Sequence, residues 1–237
     1  SPTTFKFSPE MTIGFQYISY YNHDYRYPRA YIDEAMESIK SLRRFTNLPV
    51  TIKTDSPHFF DEQFDSNVTF EIFKRDVQKQ QFKTHEKLFM LEQLPYDITF
   101  CVDTDTIFLD NPEYLLSLKE YDLQICRETF FKQPPVKLLK IFNTGFFVAK
   151  RNEKWSRMME LAIDVFLNHD KYPELDYGCK SRPGEGDQWH INQAIDRVFD
   201  MSIGILPQQW NVRKPMLDHI DNPKLLHCRG EQLMDRL

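Results

Sequence analysis

Two hydrophobic rhythms alternate through the first half of the chain. Thr12 to Ser19 reads as a strand, and Ile32, Ala35, Met36, Ile39 and Leu42 then recur at the spacing of one helix face. Val50 to Lys53 predicts a short strand closed by the turn Thr54-Asp55-Ser56-Pro57, and Val68 to Phe73 predicts another. Glu86 to Leu94 reads as a helix stopped by Pro95. Ile98 to Val102 is a continuous apolar run, the pattern of a strand buried on both faces. This strand–helix alternation predicts an α/β fold with a mainly parallel sheet. Ligands of such sheets bind at the carboxyl ends of the strands, so the residues just after each strand carry the interest.

The second half is less regular. Phe146 to Ala149 predicts a strand and Trp155 to Asn168 a helix. Tyr172 to Gly186, rich in Gly, Pro and polar residues, reads as a surface loop. Ile191, Ala194, Ile195, Val198 and Phe199 form one apolar helical stripe. Ile203 to Leu206 and Lys224 to Leu226 are late short strands.

Length and charge narrow the function. The 237 residues suffice for one sizeable core, so a single domain is expected. A net charge of -5 argues against a general nucleic-acid binder, which would show a basic face. An anionic ligand still fits if a metal or local Lys and Arg neutralise it. Cys101, Cys126, Cys179 and Cys228 include no Cys-x-x-Cys pair, which disfavours a zinc site. They suggest no disulfide framework, so a reducing, cytoplasmic setting is expected, with a trimmed lumenal or viral enzyme as the alternative. No apolar stretch is long enough to span a bilayer, and Ser1-Pro2-Thr3-Thr4 does not read as a signal peptide.

Asp103 and Asp105 follow the buried strand Ile98–Val102 directly. Residues two apart at a strand end fall on one side and can converge on one cation. Two hard carboxylates suit Mg²⁺ or Mn²⁺, and such a cation can hold a pyrophosphate. The alternative reading of the same triplet is a solvated strand-end turn.

The run Lys87-Leu88 … Leu94-Pro95 … Phe100-Cys101-Val102-Asp103-Thr104-Asp105-Thr106-Ile107-Phe108 resembles the GT-A glycosyltransferases, particularly the glycogenin and lipopolysaccharide-galactosyltransferase group. Asn143-Thr144-Gly145, Gly186-Asp187-Gln188, Leu206-Pro207 … Trp210-Asn211 and His227-Cys228-Arg229-Gly230 resemble that group's later segments, in the same order. The resemblance implies a GT-A-like, Rossmann-type nucleotide-sugar-binding sheet with helices on both faces. The nucleotide half would cover about 11–110 and the sugar and acceptor half about 111–237. It implies a sugar transferase using a nucleotide diphosphate donor, UDP by preference, with Mn²⁺ or Mg²⁺ as cofactor. A glycan, a protein or a lipid-linked sugar would be the acceptor.

By the same resemblance Asp105 and His227 would ligate the metal, with Asp103 ligating it or gripping the ribose as well, so that both aspartates also belong to the donor site. Asn143, Gly145 and Gln188 would line the sugar pocket, Ser19, Tyr20 and Asp55 would meet the nucleotide, and Lys87 and Thr104 would complete the donor site. Asp187 would stand by the reacting carbon, with Glu185 as the reserve base. Helix capping is the competing role of Asp187. Leu233 stands where the group carries a Lys that meets the pyrophosphate; Arg229, Arg213 or Lys214 would have to replace it, and the stereochemical course is open. The rival readings are a haloacid-dehalogenase-like phosphatase with Asp103 as nucleophile, a sugar nucleotidyltransferase, and a non-catalytic nucleotide-sugar-binding protein.

Overall fold

A computed structural model describes residues 10–22, 26–61, 64–74, 86–128, 141–173 and 187–228. In the first half, strand β1 (Ile13–Ile18) leads into helix α1 (Ala30–Leu42). Then come β2 (Val50–Thr54), β3 (Val68–Ile72), α2 (Glu86–Leu91), β4 (Ile98–Val102) and β5 (Thr106–Phe108). The second half holds β6 (Leu123–Arg127), β7 (Phe142–Lys150), α3 (Glu153–Leu167) and α4 (Asp187–Ile195). It closes with β8 (Ile203–Leu206), β9 (Val212–Arg213) and β10 (Leu225–His227).

Seven strands form one sheet in the order β3-β2-β1-β4-β7-β6-β8. Neighbours are parallel except where β7 runs antiparallel to both β4 and β6. The sheet is thus mainly parallel, as the strand–helix alternation predicts. A second sheet, β5-β10-β9, is small and three-stranded.

Each face of the large sheet has its own core. On one face α1 sets Ile32, Ile39 and Leu42 against Phe15, Tyr17, Ile52 and Phe100, and Phe108 and Leu225 of the small sheet join them. On the other face α2, α3 and α4 bring Leu88, Trp155, Met158 and Ile191 against Cys101, Leu123 and Phe147. Each such fully buried side chain contributes roughly 1.5–3 kcal/mol. Trp155 also satisfies its indole N–H on the carbonyl of Leu91, 3.0 Å away, which ties α3 to the end of α2.

Four expectations need correction. Helix α2 stops at Leu91 rather than Leu94. The buried Lys53 donates to the carbonyls of Met90 (2.7 Å) and Gln93 (2.6 Å), so the chain leaves the helix with those acceptors satisfied. Strand β7 begins at Phe142, not Phe146, because Asn192 of α4 accepts from the Phe142 amide (2.7 Å) and donates to its carbonyl (2.8 Å). Helix α4 ends at Ile195, and Phe199, read as part of its stripe, is 94% exposed. His227 is the last residue of β10 rather than the residue after it. No helix among the described residues is long and apolar enough to cross a membrane. Cys101, Cys126 and Cys228 are buried free thiols; Cys179 lies outside the described residues.

Candidate metal and donor site

One edge of the large sheet collects the candidate residues. The carboxyl ends of β1, β2, β4 and β6 and the start of β7 all lie there, because β7 alone runs the other way between β4 and β6. This edge therefore receives Ser19, Asp55, Asp103, Glu128 and Asn143 from five different strands.

Asp103, Asp105 and His227 meet at its centre. Their candidate ligand atoms all lie within 4.8 Å of one another. His227 Nε2 stands 3.5 Å from Asp103 Oδ2 and 3.3 Å from Asp105 Oδ1. Its other nitrogen, Nδ1, is 2.9 Å from Oδ1 of the buried Asn211. With the Asn211 oxygen facing the ring, Nδ1 donates to it and Nε2 turns toward the carboxylates. That is the arrangement of a metal-binding imidazole oriented by a second partner. Two carboxylate oxygens and one imidazole nitrogen suit Mn²⁺ or Mg²⁺, the nitrogen favouring Mn²⁺.

Electrostatics agree with a cation at this point. Burial holds the Asp103 carboxyl above its ordinary range, against the pull of Lys87 and His227. Burial also acts to raise Asp105, but its bond to His227 outweighs that and leaves it lowered. The His227 imidazole, which burial alone would lower, is raised by Asp105 and Asp103. The three groups share positive charge through protons where a dication would supply it outright.

Helix α1 fixes the turn that carries the two aspartates. Glu34, Ser38 and Ser41 recur on one helix face, and they meet Thr104, Thr106 and Phe108, which are spaced two apart. Thr104 Oγ1 donates to Glu34 Oε2 (3.2 Å), the Ser38 and Thr106 hydroxyls lie 2.7 Å apart, and the Phe108 amide donates to Ser41 Oγ (2.9 Å). Thr106 spends its proton on the carbonyl of Asp103 (2.9 Å). Ser38 must then donate to Thr106 and accept from Tyr17, 2.9 Å away. A buried relay thus runs from the middle of β1 to the backbone of Asp103.

The neighbouring residues from β7 and α4 form a second group. Lys87 of α2 forms an ion pair with Asp103 and stands 3.3 Å from Asp187 Oδ2. Burial would lower its ammonium, but Asp103 and Asp187 hold it well above the ordinary lysine value. Asp187 also accepts from Thr144 Oγ1 at 3.2 Å. Asn143 accepts from the Gly145 amide (2.8 Å), Gln188 accepts from the Thr144 amide (3.2 Å), and both side-chain NH₂ groups donate to Glu128. The Gly145 carbonyl accepts from the amide of Asp103 at 2.8 Å, so the two groups share a backbone bond.

The β1 and β2 ends are built differently. Ser19 is fully buried and donates to the carbonyl of Tyr31 (2.9 Å). Tyr20 packs its ring against Tyr31, with centroids 5.0 Å apart. Asp55 accepts from the amide of Tyr21 at 3.1 Å. Thr104 is buried toward α1. Glu185 lies outside the described residues.

A family model described as nucleotide-diphospho-sugar transferase matches residues 51–209, about two-thirds of the chain. The chain belongs to this nucleotide-diphospho-sugar transferase family. Solved structures agree on the fold. The glycosyltransferase GlyE of Streptococcus pneumoniae TIGR4 is 18% identical over 91% of this chain and 55% of its own, with a TM-score of 0.60. Mouse xyloside xylosyltransferase 1 is 13% identical over 92% of this chain and 97% of its own (TM-score 0.59). The galactosyltransferase LgtC, solved with donor and acceptor sugar analogs, is 12% identical over 92% and 87% (TM-score 0.59). This chain therefore spans just over half the length of GlyE. No curated protein sequence matches it.

Membership in the nucleotide-diphospho-sugar transferase family favours the transferase reading over the phosphatase one. Among the residues of this transferase that the sequence did not flag, Glu128 matters most. It follows β6, whose Leu123 and Ile125 alternate too briefly to stand out as a strand. Had β6 been recognised, the strand-end rule would have pointed to Glu128. Glu34 and Ser38 carry no signal beyond their helical spacing.

Proposed function

We propose that this transferase moves a hexosyl or pentosyl group from a nucleotide diphosphate donor to a hydroxyl of a glycan, protein or lipid-linked acceptor, with Mn²⁺ or Mg²⁺ held by Asp103, Asp105 and His227. The convergence of these three side chains on the strand edge, their ligand atoms within 4.8 Å of one another, carries the reading. Bound there, the dication would offset the two carboxylates and stabilise the pyrophosphate as it leaves. The sequence resemblance favours UDP as the nucleotide. Two structural neighbours, a xylosyltransferase and a galactosyltransferase, keep both sugar sizes in view.

The residues divide the remaining work. Ser19, Tyr20 and Asp55 mark the nucleotide end, where the half-buried Tyr20 ring offers a surface for a base and the buried Ser19 contributes through its backbone. Thr104 holds the metal turn against Glu34. Asn143 and Gln188 wall the sugar, Gly145 leaves room for the His227 ring where the sequence suggests close approach of a sugar, and Lys87 steers Asp103 and Asp187. Asp187 lies beside that wall with its Oδ2 engaged by Lys87 and Thr144, contacts beyond helix capping, and its role at the anomeric carbon follows from the family resemblance. Glu185 remains the reserve base for the acceptor. The buried thiols support a reducing, cytoplasmic setting. A donor-hydrolysis screen over nucleotide sugars in Mn²⁺ tests the proposal; release of nucleotide from none of them would overturn it.

A further inference from the structure

Among the described residues, Glu128 receives side-chain donors from three different elements. Asn143 Nδ2 of β7 donates to its Oε2 at 2.6 Å and Gln188 Nε2 of α4 at 2.9 Å. Arg213 Nη1 of β9 reaches Oε1 at 3.3 Å and Oε2 at 3.5 Å. The carboxylate is only 4% exposed, whereas the arginine side chain is 48% exposed. Removing a carboxylate from water is costly unless its partners are fixed and well placed. Here one cation and two amides supply them.

The two amides are the important partners. Each has its oxygen on a backbone N–H of β7, Asn143 on Gly145 and Gln188 on Thr144, and its nitrogen on Glu128. An ionised carboxylate only accepts. Turning either amide over would set an amide oxygen against the carboxylate and lose the backbone bond as well. Glu128 and the two β7 amide groups therefore act together to fix which way both side-chain amides face. Arg213 adds a link to the metal side, since it pairs in register with His227 across the parallel strands β9 and β10.

We propose that Glu128 is a positioning residue for the donor sugar, locking the Asn143 and Gln188 amides in one orientation, with Arg213 bracing it from the strand beside the metal ligand. This rests on the reading of these amides as the wall of the sugar pocket. Its charge acts on the two amides, which stand at the sugar rather than at the metal in that reading. A glutamine in its place offers one acceptor oxygen and an NH₂ group that competes with three donors, so the lock is lost while the volume is kept.

The variant Glu128→Gln tests this in two ways. With UDP and Mn²⁺ as the probe, calorimetry should give a Kd within about twofold of wild type. With a panel of UDP-hexoses and UDP-pentoses, kcat/KM for the preferred donor should fall about tenfold to a hundredfold, the scale of losing a charge-assisted hydrogen bond. Glu128→Asp, which keeps the charge, should recover part of that loss. The second readout is the side-chain NH₂ resonances of Asn143 and Gln188 in ¹⁵N–¹H spectra of the unliganded protein, identified by their disappearance in Asn143→Asp and Gln188→Glu. In wild type one proton of each pair should lie downfield and exchange slowly, and Glu128→Gln should move both pairs. Unmoved resonances, or equal losses of UDP–Mn²⁺ affinity and turnover, would overturn the proposal. Should Glu128→Gln fail to fold, freely averaging NH₂ protons in wild type would overturn it alone. Absence of UDP release by wild type from every donor would count against the transferase reading, and the resonances would still decide whether Glu128 locks the amides.

Discussion

A Cβ placed on Gly145 would stand 2.1 Å from Cε1 of His227 and 2.4 Å from its Nδ1. The glycine is needed for space: the imidazole occupies the volume that any side chain at 145 would fill. The sequence suggests close approach of a sugar to the backbone here, and the structure puts a metal-ligand candidate in that place. Gly145→Ala should therefore push His227 off Asp105 and weaken Mn²⁺ binding by about tenfold to a hundredfold, the range for disturbing a ligand's support. Titration of Mn²⁺ by electron paramagnetic resonance checks this, and unchanged affinity would separate the ring from the metal.

The relay from Tyr17 through Ser38 to Thr106 and the Asp103 carbonyl has no spare members. Ser38→Ala strands the Tyr17 hydroxyl and removes the donor to Thr106 in a buried setting. An unsatisfied buried group costs about 1–3 kcal/mol, so urea unfolding should show a loss in that range. Ser41→Ala, which leaves the Phe108 amide without its acceptor, should behave alike. A loss below about 0.5 kcal/mol in both variants would show that the relay contributes little.

How far the sequence reveals this arrangement depends on how much of each signal is local. Ile98–Val102 is read to the residue because a strand buried on both faces is apolar throughout. Asp103, Asp105 and His227 are legible as candidate ligands through the strand-end rule and the family resemblance together, and the structure brings the three side chains together. Their shared dependence on Asn211, Gly145 and Ser38 is not, since contacts across 16, 82 and 68 positions leave no trace in spacing. Strands β5, β6 and β9 are short, and their apolar residues gain meaning only from the strands they pair with. The overrun of α4 to Phe199 has a simpler cause: an apolar residue continues the helical stripe on paper whether or not the helix continues.

Asp122 ties β6 to α3 and β8. It accepts from the Ser202 amide and hydroxyl, both at 2.8 Å, and from Asn152 (2.8 Å) and Lys154 (2.9 Å). Burial acts to raise its carboxyl, but these bonds outweigh burial and hold it well below the ordinary range. A depressed folded pKa gives stability that is fully present above the unfolded value near about 3.9 and lost as pH falls through the folded one. Asp122→Asn should thus melt well below wild type at neutral pH, and the gap should shrink below about pH 4. Thermal melts across that interval check the sign; a gap that widens in acid would refute it.

Asp187 offers a choice between capping and chemistry. Its Oδ2 meets Lys87 and Thr144. Asn at this position keeps the shape and removes the charge. Asp187→Asn should melt near wild type and bind UDP with Mn²⁺ normally, while donor turnover falls at least about a hundredfold. Near-normal turnover would assign the residue to the helix end and move attention to Glu185.

Release of UDP from a nucleotide sugar, followed in Mn²⁺ and again in excess chelator, tests metal-dependent transfer most directly. Wild-type turnover should appear in Mn²⁺, vanish in chelator and return when Mn²⁺ is restored. Asp105→Ala should stay folded, because this side chain, 23% exposed, faces His227 at the strand edge and lies outside the hydrophobic clusters, yet turn over at less than about one hundredth of the rate. Full turnover in chelator, or in Asp105→Ala, would contradict the assignment of Asp103, Asp105 and His227 as the metal centre of this glycosyltransferase.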